Sequence, residues 1–499
     1  MKFVISRRDF MKMAGAAMVG AMAAPTVLGM DTSAGAADLK SGSGSIKYAG
    51  CQVPVLCETD VCVVGGGVAG VAAAVSAGKR GSHAVIVERG IALGGLQTLG
   101  CVVPCMKSYA PGSDTSFVAA VKEKLAEHGV LYDDKTEDSE VSIWTNPETM
   151  ALIYDELCTE AGVDILYNMT FMDVVKAGSA VAYVIVQTIA GLCAIKAKVF
   201  IDASGDAILA RAAGVPSERG FEKTGNNQPM SFRFEIGGID MEKLYHHVKK
   251  VLKDPVSKAP YPHFEIAEAR HRKKKFILEQ FMMDGVAAGE LAEEDAEYMQ
   301  AYAIMNKKGT MSMNCPELPV KYSSTDPLSY SKGVTAGRQM IHRIANYLIK
   351  HMPGFENAYL NKEASMLGAR ESWRIKGKYY MEEADYHNRS KFPDAVARTA
   401  WYIDAHGEKV ADLLPKGEYY EIPYRSMITN EVSNLIVAGR CISASFILQA
   451  SMRIQVTCMS IGEAAGVAAN WGRRHGQNVN EVRWDEIPEK DRSYVTSGK

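Results

Sequence analysis

The amino-acid sequence predicts an α/β fold in which two separated segments build one sheet and a third segment is inserted between them. The first segment opens on an apolar run at 61–64, of the kind that a buried parallel strand needs. α/β character returns near the C-terminus, with an apolar run at 435–438 and a helix rich in small residues at 459–471. The stretch 221–425 is instead rich in Lys, Glu, Met and Tyr, with amphipathic helices expected around 266–285 and 332–352. We therefore expect a separate α+β domain there.

A glycine motif follows the first apolar run directly. Gly65-x-Gly67-x-x-Gly70 precedes a helical run, and Glu88 ends a second apolar run. In a Rossmann-type nucleotide site, the first glycine allows a tight turn, the second lets the backbone approach a pyrophosphate, and the third permits close helix–strand packing. The helix N-terminus attracts the phosphates, and the acid accepts hydrogen bonds from the ribose hydroxyls. Strand, glycines, helix, second strand and acid together predict a Rossmann-like dinucleotide site.

The residues after the acid favour FAD over NAD. An arginine follows Glu88 at once, and two glycines come a few residues later. This order resembles the Arg-x-Gly-Gly continuation of FAD-binding oxidoreductases, in which the loop runs along the cofactor toward its flavin end. A plain NAD dehydrogenase has no need of such a loop. We therefore expect bound FAD, held by Gly65, Gly67, Gly70, Glu88, Arg89, Gly94 and Gly95.

We expect residues 1–36 to be a twin-arginine export signal rather than part of the fold. The run SRRDF at 6–10 resembles the twin-arginine consensus, and a weakly apolar segment follows at 13–30. Cleavage after Ala36 would leave a mature chain without a transmembrane segment, since no later run reaches spanning length. The predicted location is the periplasm or the outer face of the cell envelope. This route carries folded proteins, which suits a flavoprotein.

Composition argues against several other functions. The formal net charge of −2 provides no overall field for nucleic acid, and acidic residues flank the basic run at 270–275, which we predict to be a solvated helical face. The 10 cysteines form no spacing typical of zinc, iron–sulfur or haem sites, so we expect no metal. Cys101 and Cys105 are spaced differently from the pair of disulfide reductases, and no second glycine motif for NAD follows. Redox-active disulfide chemistry at this pair stays a minor alternative, and Cys105 could still approach the flavin.

Several ordered blocks further along the chain resemble the FAD-dependent oxidoreductase family related to heterodisulfide-reductase A and the glucose-inhibited-division flavoproteins. The blocks are FIDASGD (200–206), MPGFENAYL (352–360), LGARESWRIKG (367–377), WYIDAHG (401–407), EIPYRSM (421–427), NLIVAGR (434–440) and SMRIQVTCMSIGEAAGVAA (451–469). Ser204 and Trp373 depart from the family's usual threonine and basic residue. The resemblance implies a two-part FAD-binding domain at 58–220 and 426–475, a cap or substrate domain at 221–425 and a C-terminal tail at 476–499.

The resemblance also adds expected cofactor contacts. Gly205 and Gly439 each follow a strand, where flavoproteins bring the backbone close to the cofactor without a side-chain clash. Gly462 lies in the C-terminal helix, which can point its positive end at the flavin. Tight helix packing without cofactor contact is the alternative for this glycine. Arg453 precedes that helix and could face the flavin or its pyrophosphate.

Two arginines are the first candidates for the chemistry. Arg370 and Arg374 are four positions apart, which on a helix places them on one face beside Glu371. An arginine can clamp a carboxylate or carbonyl oxygen and stabilise developing negative charge. A structural ion-pair network is the alternative. Of the two, Arg370 is our candidate for a catalytic role.

Three further candidates lie closer to the C-terminus. His406 stands two residues from Asp404, so on a strand both would face one way and the carboxylate would set the tautomer of a general acid or base. A structural histidine is the alternative. Tyr424 and Arg425 follow a proline that constrains the entering backbone, and either could orient a substrate.

Together these residues favour an exported FAD-dependent oxidoreductase that moves a hydride between a carbon of a small-molecule substrate and flavin N5. Without an NAD motif, electrons would pass to or from a separate carrier or a membrane quinone pool. An ene-reductase of the fumarate-reductase type, acting on an unsaturated acid, is one alternative, and a dehydrogenase of sugars, steroids or hydroxy acids is another. A non-catalytic flavin electron-transfer subunit is the third.

Overall fold

The structure of the protein is a computed structural model that describes residues 42–133, 141–252, 264–269, 277–406, 408 and 413–493. The predicted export signal at 1–36 and the basic run at 270–275 lie outside these residues.

The strands are, in chain order, β1 Ser45–Tyr48, β2 Cys51–Val64, β3 Ala84–Val87, β4 Pro104–Met106, β5 Tyr132–Asp133, β6 Val141–Trp144, β7 Val163–Leu166, β8 Thr170–Ala177, β9 Ala180–Thr188, β10 Gly191–Asp202, β11 Ser217–Arg219, β12 Phe234–Gly237, β13 Glu265–Ala269, β14 Tyr298–Ala303, β15 Met311–Met313, β16 Tyr359–Glu363, β17 Trp373–Ile375, β18 Ala395–Thr399, β19 Tyr420–Pro423 and β20 Leu435–Val437.

The α-helices are α1 Val68–Lys79, α2 Ser116–Glu127, α3 Pro147–Glu160, α4 Ile208–Ala212, α5 Met241–His246, α6 Glu279–Ala287, α7 Pro327–His351, α8 Glu383–Asn388, α9 Phe446–Met452 and α10 Gln455–His475.

The largest sheet has the strand order β7-β3-β2-β10-β9-β8 and a parallel centre. The pairs β7–β3, β3–β2 and β2–β10 are all parallel, and β9 and β8 add an antiparallel meander. Strand β10 is long enough to pair twice along one edge, with β9 over 191–196 and with β20 over 200–202. Through β20 the C-terminal segment joins the N-terminal one, which confirms the predicted α/β class.

Helices α1 and α10 pack against each other beside this sheet. Residues 69–77 of α1 and 456–470 of α10 are all buried, so both helices need small or apolar side chains on every face. A Cβ built on Gly462 would lie 2.1 Å from the carbonyl oxygen of Ala69, and one on Gly466 would lie 2.2 Å from that of Ala73. The predicted C-terminal helix is therefore confirmed, although it begins at 455 rather than 459.

A second, five-stranded antiparallel sheet has the order β13-β14-β15-β12-β16 and its own hydrophobic core. The long helix α7 contributes Met340, Ile341 and Ile344 to this core, which confirms the amphipathic helix predicted at 332–352. The second core ends at Ala369, and residues from Ile375 onward pack on the first core instead. The cap core is thus shorter than the predicted domain at 221–425.

Two local predictions in this region are wrong. The helix expected around 266–285 is wrong at its start, where residues 265–269 form strand β13 because pairing with β14 outweighs their helical pattern, whereas 279–285 are helical within α6. The segment from Arg370 to Arg374 is not helical either, since it ends in β17, which pairs with β11. Arg370 and Arg374 consequently do not share a helical face.

Candidate active site

The three glycines of the motif differ in what surrounds them. Gly65 has a φ of 103°, and a Cβ there would lie 2.7 Å from the carbonyl oxygen of Ala203, so the turn requires glycine. A Cβ on Gly70 would lie 1.9 Å from the Gly65 carbonyl oxygen. A Cβ on Gly67, by contrast, would meet no heavy atom within 4 Å. Gly65 and Gly70 therefore serve packing, whereas Gly67 borders open space.

That open space lies at the N-terminus of α1. Gly67 is the N-cap residue, and neither a side-chain cap nor an acidic residue occupies the first turn. A helix N-terminus left uncapped in this way offers N–H groups and partial positive charge to an anion. The residues present therefore fit a pyrophosphate.

Glu88 holds the glycine loop from the neighbouring strand. It is buried, with Oε2 accepting from the N–H of Gly66 at 2.8 Å and Oε1 accepting from the N–H of Gly90 at 2.6 Å. A carboxylate oxygen can accept a further hydrogen bond, as contact with a ribose would require. Gly94 donates to the Gly66 carbonyl oxygen at 2.8 Å, and Arg89 is exposed beside this loop.

The glycines predicted from the family blocks border the same region. Gly205 and Gly439 have φ values of 76° and 84°, in the left-handed region that favours glycine. A Cβ on Gly205 would lie 2.8 Å from Nε of Arg440, and one on Gly439 would lie 3.1 Å from Cβ of Ala69 in α1. Gly462 instead contacts the backbone of α1, so its visible role is helix packing.

A cavity of about 170 Å³ is lined by Tyr298, Gln300 and Tyr302 of the antiparallel sheet on one side and by residues of the segment 96–106 on another. Leu96 lines it from the first segment, and the neighbouring Gly95 is packed so closely on Gly67 that a Cβ there would lie 3.2 Å from the Gly67 Cα. The cavity therefore lies beside the glycine loop, separated from it by one residue along the chain. Four of the residues singled out from the sequence converge on it: Arg370, Asp404, His406 and Arg453.

Charged side chains alternate in sign along one wall of the cavity. Arg370 Nη1 lies 3.1 Å from Oε1 of Glu317, and the same oxygen lies 2.6 Å from Nδ1 of His406. Nε2 of His406 lies 3.2 Å from Oδ2 of Asp404, which in turn lies 3.4 Å from Nη2 of Arg453. His406 thus has a carboxylate at each ring nitrogen, an arrangement that can hold a proton on the imidazole or pass it on.

The backbone that presents this histidine differs from the prediction. Asp404 forms an isolated β-bridge and His406 lies in a turn, so 404–406 are not a regular strand, and the N–H of His406 donates to the carbonyl oxygen of Asp404 at 3.2 Å. The turn still brings the carboxylate to the imidazole. His406 is 2% exposed, and its ring centroid lies 5.7 Å from that of Tyr298.

Arg374 points away from this wall into an ion-pair network. It contacts Glu371 closely and lies 3.3 Å from Glu218, and both Arg374 and Glu371 are fully buried. Burial raises the pKa of Glu371, and the neighbouring Arg374 opposes that rise. Arg374 therefore belongs to a structural ion-pair network, which was the alternative to a catalytic role, whereas Arg370 lines the cavity.

Tyr424 and Arg425 do not line the cavity. The Tyr424 hydroxyl donates to the carbonyl oxygen of Val479 at 2.8 Å, and its ring stacks on Trp484. Arg425 forms a two-pronged pair with Asp394, with Nε–Oδ2 and Nη2–Oδ1 distances of 2.9 and 3.1 Å. The structure therefore gives both residues structural partners and does not bring them to the site.

The structure also brings to the cavity residues that sequence reasoning missed. Arg233, Tyr298 and Arg440 line it, and Glu317 contacts both Arg370 and His406. Arg440 donates to the Ala369 carbonyl oxygen at 2.7 Å and pairs with Asp206 at 2.6 Å. One signal was available, because Arg233 stands between two phenylalanines in a strand-like run, where a charge is unexpected.

Cys101 and Cys105, which follow the glycine loop, are separate, buried thiols. Cys105 donates to Oε1 of Gln455 at 3.1 Å and accepts from Nε2 of Gln97 at 3.0 Å. Burial raises the pKa of the Cys105 thiol to about 12 and that of the Cys101 thiol to about 11. Both are therefore protonated at neutral pH.

Across the described ranges, no three or more His, Cys, Asp or Glu side chains are grouped so as to hold a metal ion. Within the same part of the chain, no helix combines the length and apolarity needed to cross a bilayer.

The Rossmann-like sheet, the glycine loop and the adjoining basic cavity define a nucleotide-dependent redox enzyme. The model of the family described as FAD dependent oxidoreductase matches residues 60–490, and the chain belongs to this family. It is therefore an FAD-dependent oxidoreductase. A search of curated proteins found no match.

Solved structures with a similar chain path are distant in sequence. A geranylgeranyl bacteriochlorophyll reductase-like protein from Thermoplasma acidophilum is 12% identical, with a TM-score of 0.43 over 84% of this chain and 79% of that one. The p-nitrophenol 4-monooxygenase PnpA from Pseudomonas putida DLL-E4 is 11% identical, with a TM-score of 0.43 over 84% and 81%. L-Proline dehydrogenase from P. horikoshii is 12% identical, with a TM-score of 0.38 over 87% and 97%.

Proposed function

We propose that the chain is an exported oxidoreductase that transfers a hydride between a carbon of a small-molecule substrate and N5 of its flavin. The observation that carries this proposal is that the glycine loop and the cavity are neighbours, since Gly95 packs on Gly67 and the next residue, Leu96, lines the cavity. A dinucleotide anchored at the loop can therefore extend its ring system toward the charged wall. The flavin, when bound, supplies the two-electron chemistry.

The residues of the chain then divide into cofactor-holding and substrate-facing groups. The N-terminus of α1 at Gly67 would hold the pyrophosphate, and Glu88 would accept from the ribose. On the cavity wall, His406 would hold or release the proton that accompanies the redox step, and Glu317 and Asp404 would orient its ring. Arg370 would neutralise negative charge that develops on a substrate oxygen.

Export and the electron partner form the part of the proposal that rests on sequence. The run SRRDF at 6–10 supports export by the twin-arginine route to the periplasm or the outer face of the envelope. The absence of a second glycine motif in the sequence supports a separate electron carrier or quinone pool rather than NAD. A fusion of residues 1–36 to a reporter that requires folded export tests the first point, and Arg7→Lys with Arg8→Lys should abolish that export.

The enzymatic proposal is tested on the mature protein beginning at Ala37. We expect a yellow protein whose flavin spectrum bleaches with one group of reductants from a metabolite panel, or reoxidises with one group of acceptors, under anaerobic conditions. His406→Gln should retain the flavin and lose most of this response. A colourless protein that takes up no FAD would refute the proposal.

An ene-reductase acting on an unsaturated acid is the second candidate. The arginines of the cavity favour it, because such a substrate carries a carboxylate. Oxidation of reduced viologen by unsaturated acids, but not by the matching saturated acids, would identify this activity. If instead a partner protein reduces the flavin and no small molecule changes its spectrum, the chain is a non-catalytic electron-transfer subunit.

A further inference from the structure

Arg233 is a buried guanidinium in the wall of the cavity. It is 6% exposed, its Nη1 donates to the carbonyl oxygen of Cys101 at 3.4 Å, and its Cζ lies 6.0 Å from the ring centre of Tyr302. Among the described residues, no carboxylate lies within ion-pairing distance of it. A long hydrogen bond and an aromatic face are weak compensation for a charge removed from water.

The other three arginines of the cavity each have a carboxylate partner. Arg370 pairs with Glu317, Arg440 with Asp206 and Arg453 with Asp404. Counting these groups gives four guanidinium groups and three carboxylates. Nε of Arg453 is also buried and has no hydrogen-bond partner within the described part of the chain. The cavity therefore carries a surplus of one positive charge and at least one N–H donor without an acceptor.

An unpaired positive charge in a buried cavity destabilises the protein when no anion is bound. Burial lowers the pKa of Arg233, and the like charge of Arg370 lowers it further. Burial also lowers the pKa of Arg453. An arginine nevertheless keeps its proton in a protein, so the charge cannot be relieved by deprotonation. An anion that enters the cavity would relieve it.

The chemistry of that anion can be narrowed. One uncompensated guanidinium matches one negative charge, as a monocarboxylate carries, and the planar fork of arginine fits both oxygens of a carboxylate. The other lining residues include Tyr298, Trp401 and Tyr402, whose rings favour a flat partner. A phosphate monoester would bring close to two charges at neutral pH, which exceeds the surplus.

We infer that the substrate is a small planar carboxylic acid whose carboxylate is bound by Arg233. This inference rests on the proposed function, because it concerns the substrate side of the same cavity. It adds a specificity-determining residue that faces the charged wall of Arg370 and His406. The planar part of the acid would lie against the aromatic rings of the cavity.

The test uses the FAD-loaded protein and two probes that differ mainly in charge, benzoate and benzamide. Binding is followed by the change in the flavin absorption band and, independently, by calorimetry. We expect benzoate to bind at least about 30-fold more tightly than benzamide, since leaving a buried charge unpaired has a cost of that order. Inorganic phosphate should bind more weakly than benzoate.

Arg233→Met is the decisive variant, with Arg483→Met as its matched control. Arg483 has 65% of its side chain exposed and lies on the surface. Arg233→Met should bind FAD normally and lose benzoate affinity by at least about 30-fold. Its melting temperature in the absence of benzoate should rise, because an uncompensated buried charge has been replaced by an apolar side chain. Arg483→Met should change none of these quantities.

Several results would overturn the inference. They are equal affinities for benzoate and benzamide, tighter binding of phosphate than of benzoate, or unchanged benzoate affinity in Arg233→Met. A changed flavin reduction potential with unchanged benzoate affinity would assign Arg233 to the cofactor instead. If Arg233→Met does not fold, Arg233→Lys retains the charge but loses the fork and must weaken benzoate binding without affecting benzamide. A protein that binds benzoate by calorimetry but takes up no FAD would refute the proposed function alone.

Discussion

Replacing Gly67 by alanine tests whether the open space beside this residue is required for FAD binding and not for folding. Gly67 has φ −67° and ψ 175°, a conformation that alanine adopts without strain, and the added Cβ would meet no protein atom within 4 Å. The free energy of unfolding of the FAD-free protein should therefore change by no more than about 1 kcal/mol, since alanine restricts the unfolded chain but is less favourable than glycine at an N-cap.

The Gly67→Ala variant should instead bind FAD more weakly. The new methyl group occupies the space through which a pyrophosphate approaches the backbone. Overpacking by one methyl group costs about 1–3 kcal/mol, which corresponds to a dissociation constant about 5- to 150-fold higher. The assay is titration of the FAD-free protein with FAD, followed by flavin fluorescence, together with thermal unfolding without FAD.

Gly70→Ala is the matched control three residues away. Its Cβ would lie 1.9 Å from the carbonyl oxygen of Gly65, so this variant should lose stability even without FAD. Two results would refute the reasoning. One is wild-type affinity for FAD in Gly67→Ala, and the other is a loss of FAD-free stability in Gly67→Ala as large as that in Gly70→Ala.

Three further predictions follow from the packing and the cavity. Gly462→Ala should lower the free energy of unfolding by about 1–3 kcal/mol in urea titrations, because its Cβ would lie 2.1 Å from a carbonyl oxygen of the facing helix; unchanged stability would show that the two helices can part at no cost. His406→Gln should lower turnover by about 100-fold or more, whereas Tyr424→Phe should stay within about 2-fold and lose about 1 kcal/mol of stability; equal losses of turnover would contradict the placement of these residues. A thiol reagent at pH 8 should modify Cys51 alone in the native protein, since the other cysteines are buried and burial raises the pKa of Cys105 to about 12; rapid modification of Cys105 would contradict its environment.

The nucleotide-binding unit could be predicted from sequence because its signals are local. Strand β2, the glycine turn, α1 and β3 follow one another within about 40 residues, and each glycine has a separate steric task. The start of the helix predicted around 266–285 failed for the opposite reason. Its residues take their structure from β14, a neighbour about thirty positions away that no local pattern reveals.

The candidate site was predictable only in part, because it is assembled from distant segments. Arg370 and His406 lie within family blocks and could be singled out from the sequence, and both line the cavity. Glu317, which contacts both, lies in no such block. The importance of Arg233 could not be read from the sequence, because it lies in having no carboxylate partner among the residues that the structure describes. Tyr424 and Arg425 contact Val479 and Asp394 outside the cavity, which the Pro-Tyr-Arg run could not show because residue types alone do not fix which way side chains face.

The contact between α1 and α10 has a consequence for the biosynthesis of the protein. The Ser76 hydroxyl donates to the carbonyl oxygen of Glu463 at 2.8 Å, a contact that joins positions 387 residues apart. While the cap domain is still being translated, helix α1 lacks the helix α10 that packs against it in the complete fold. The holoenzyme can therefore mature only after residues 455–475 have been translated, and a nonsense codon before position 455 would leave a chain unable to complete its nucleotide pocket.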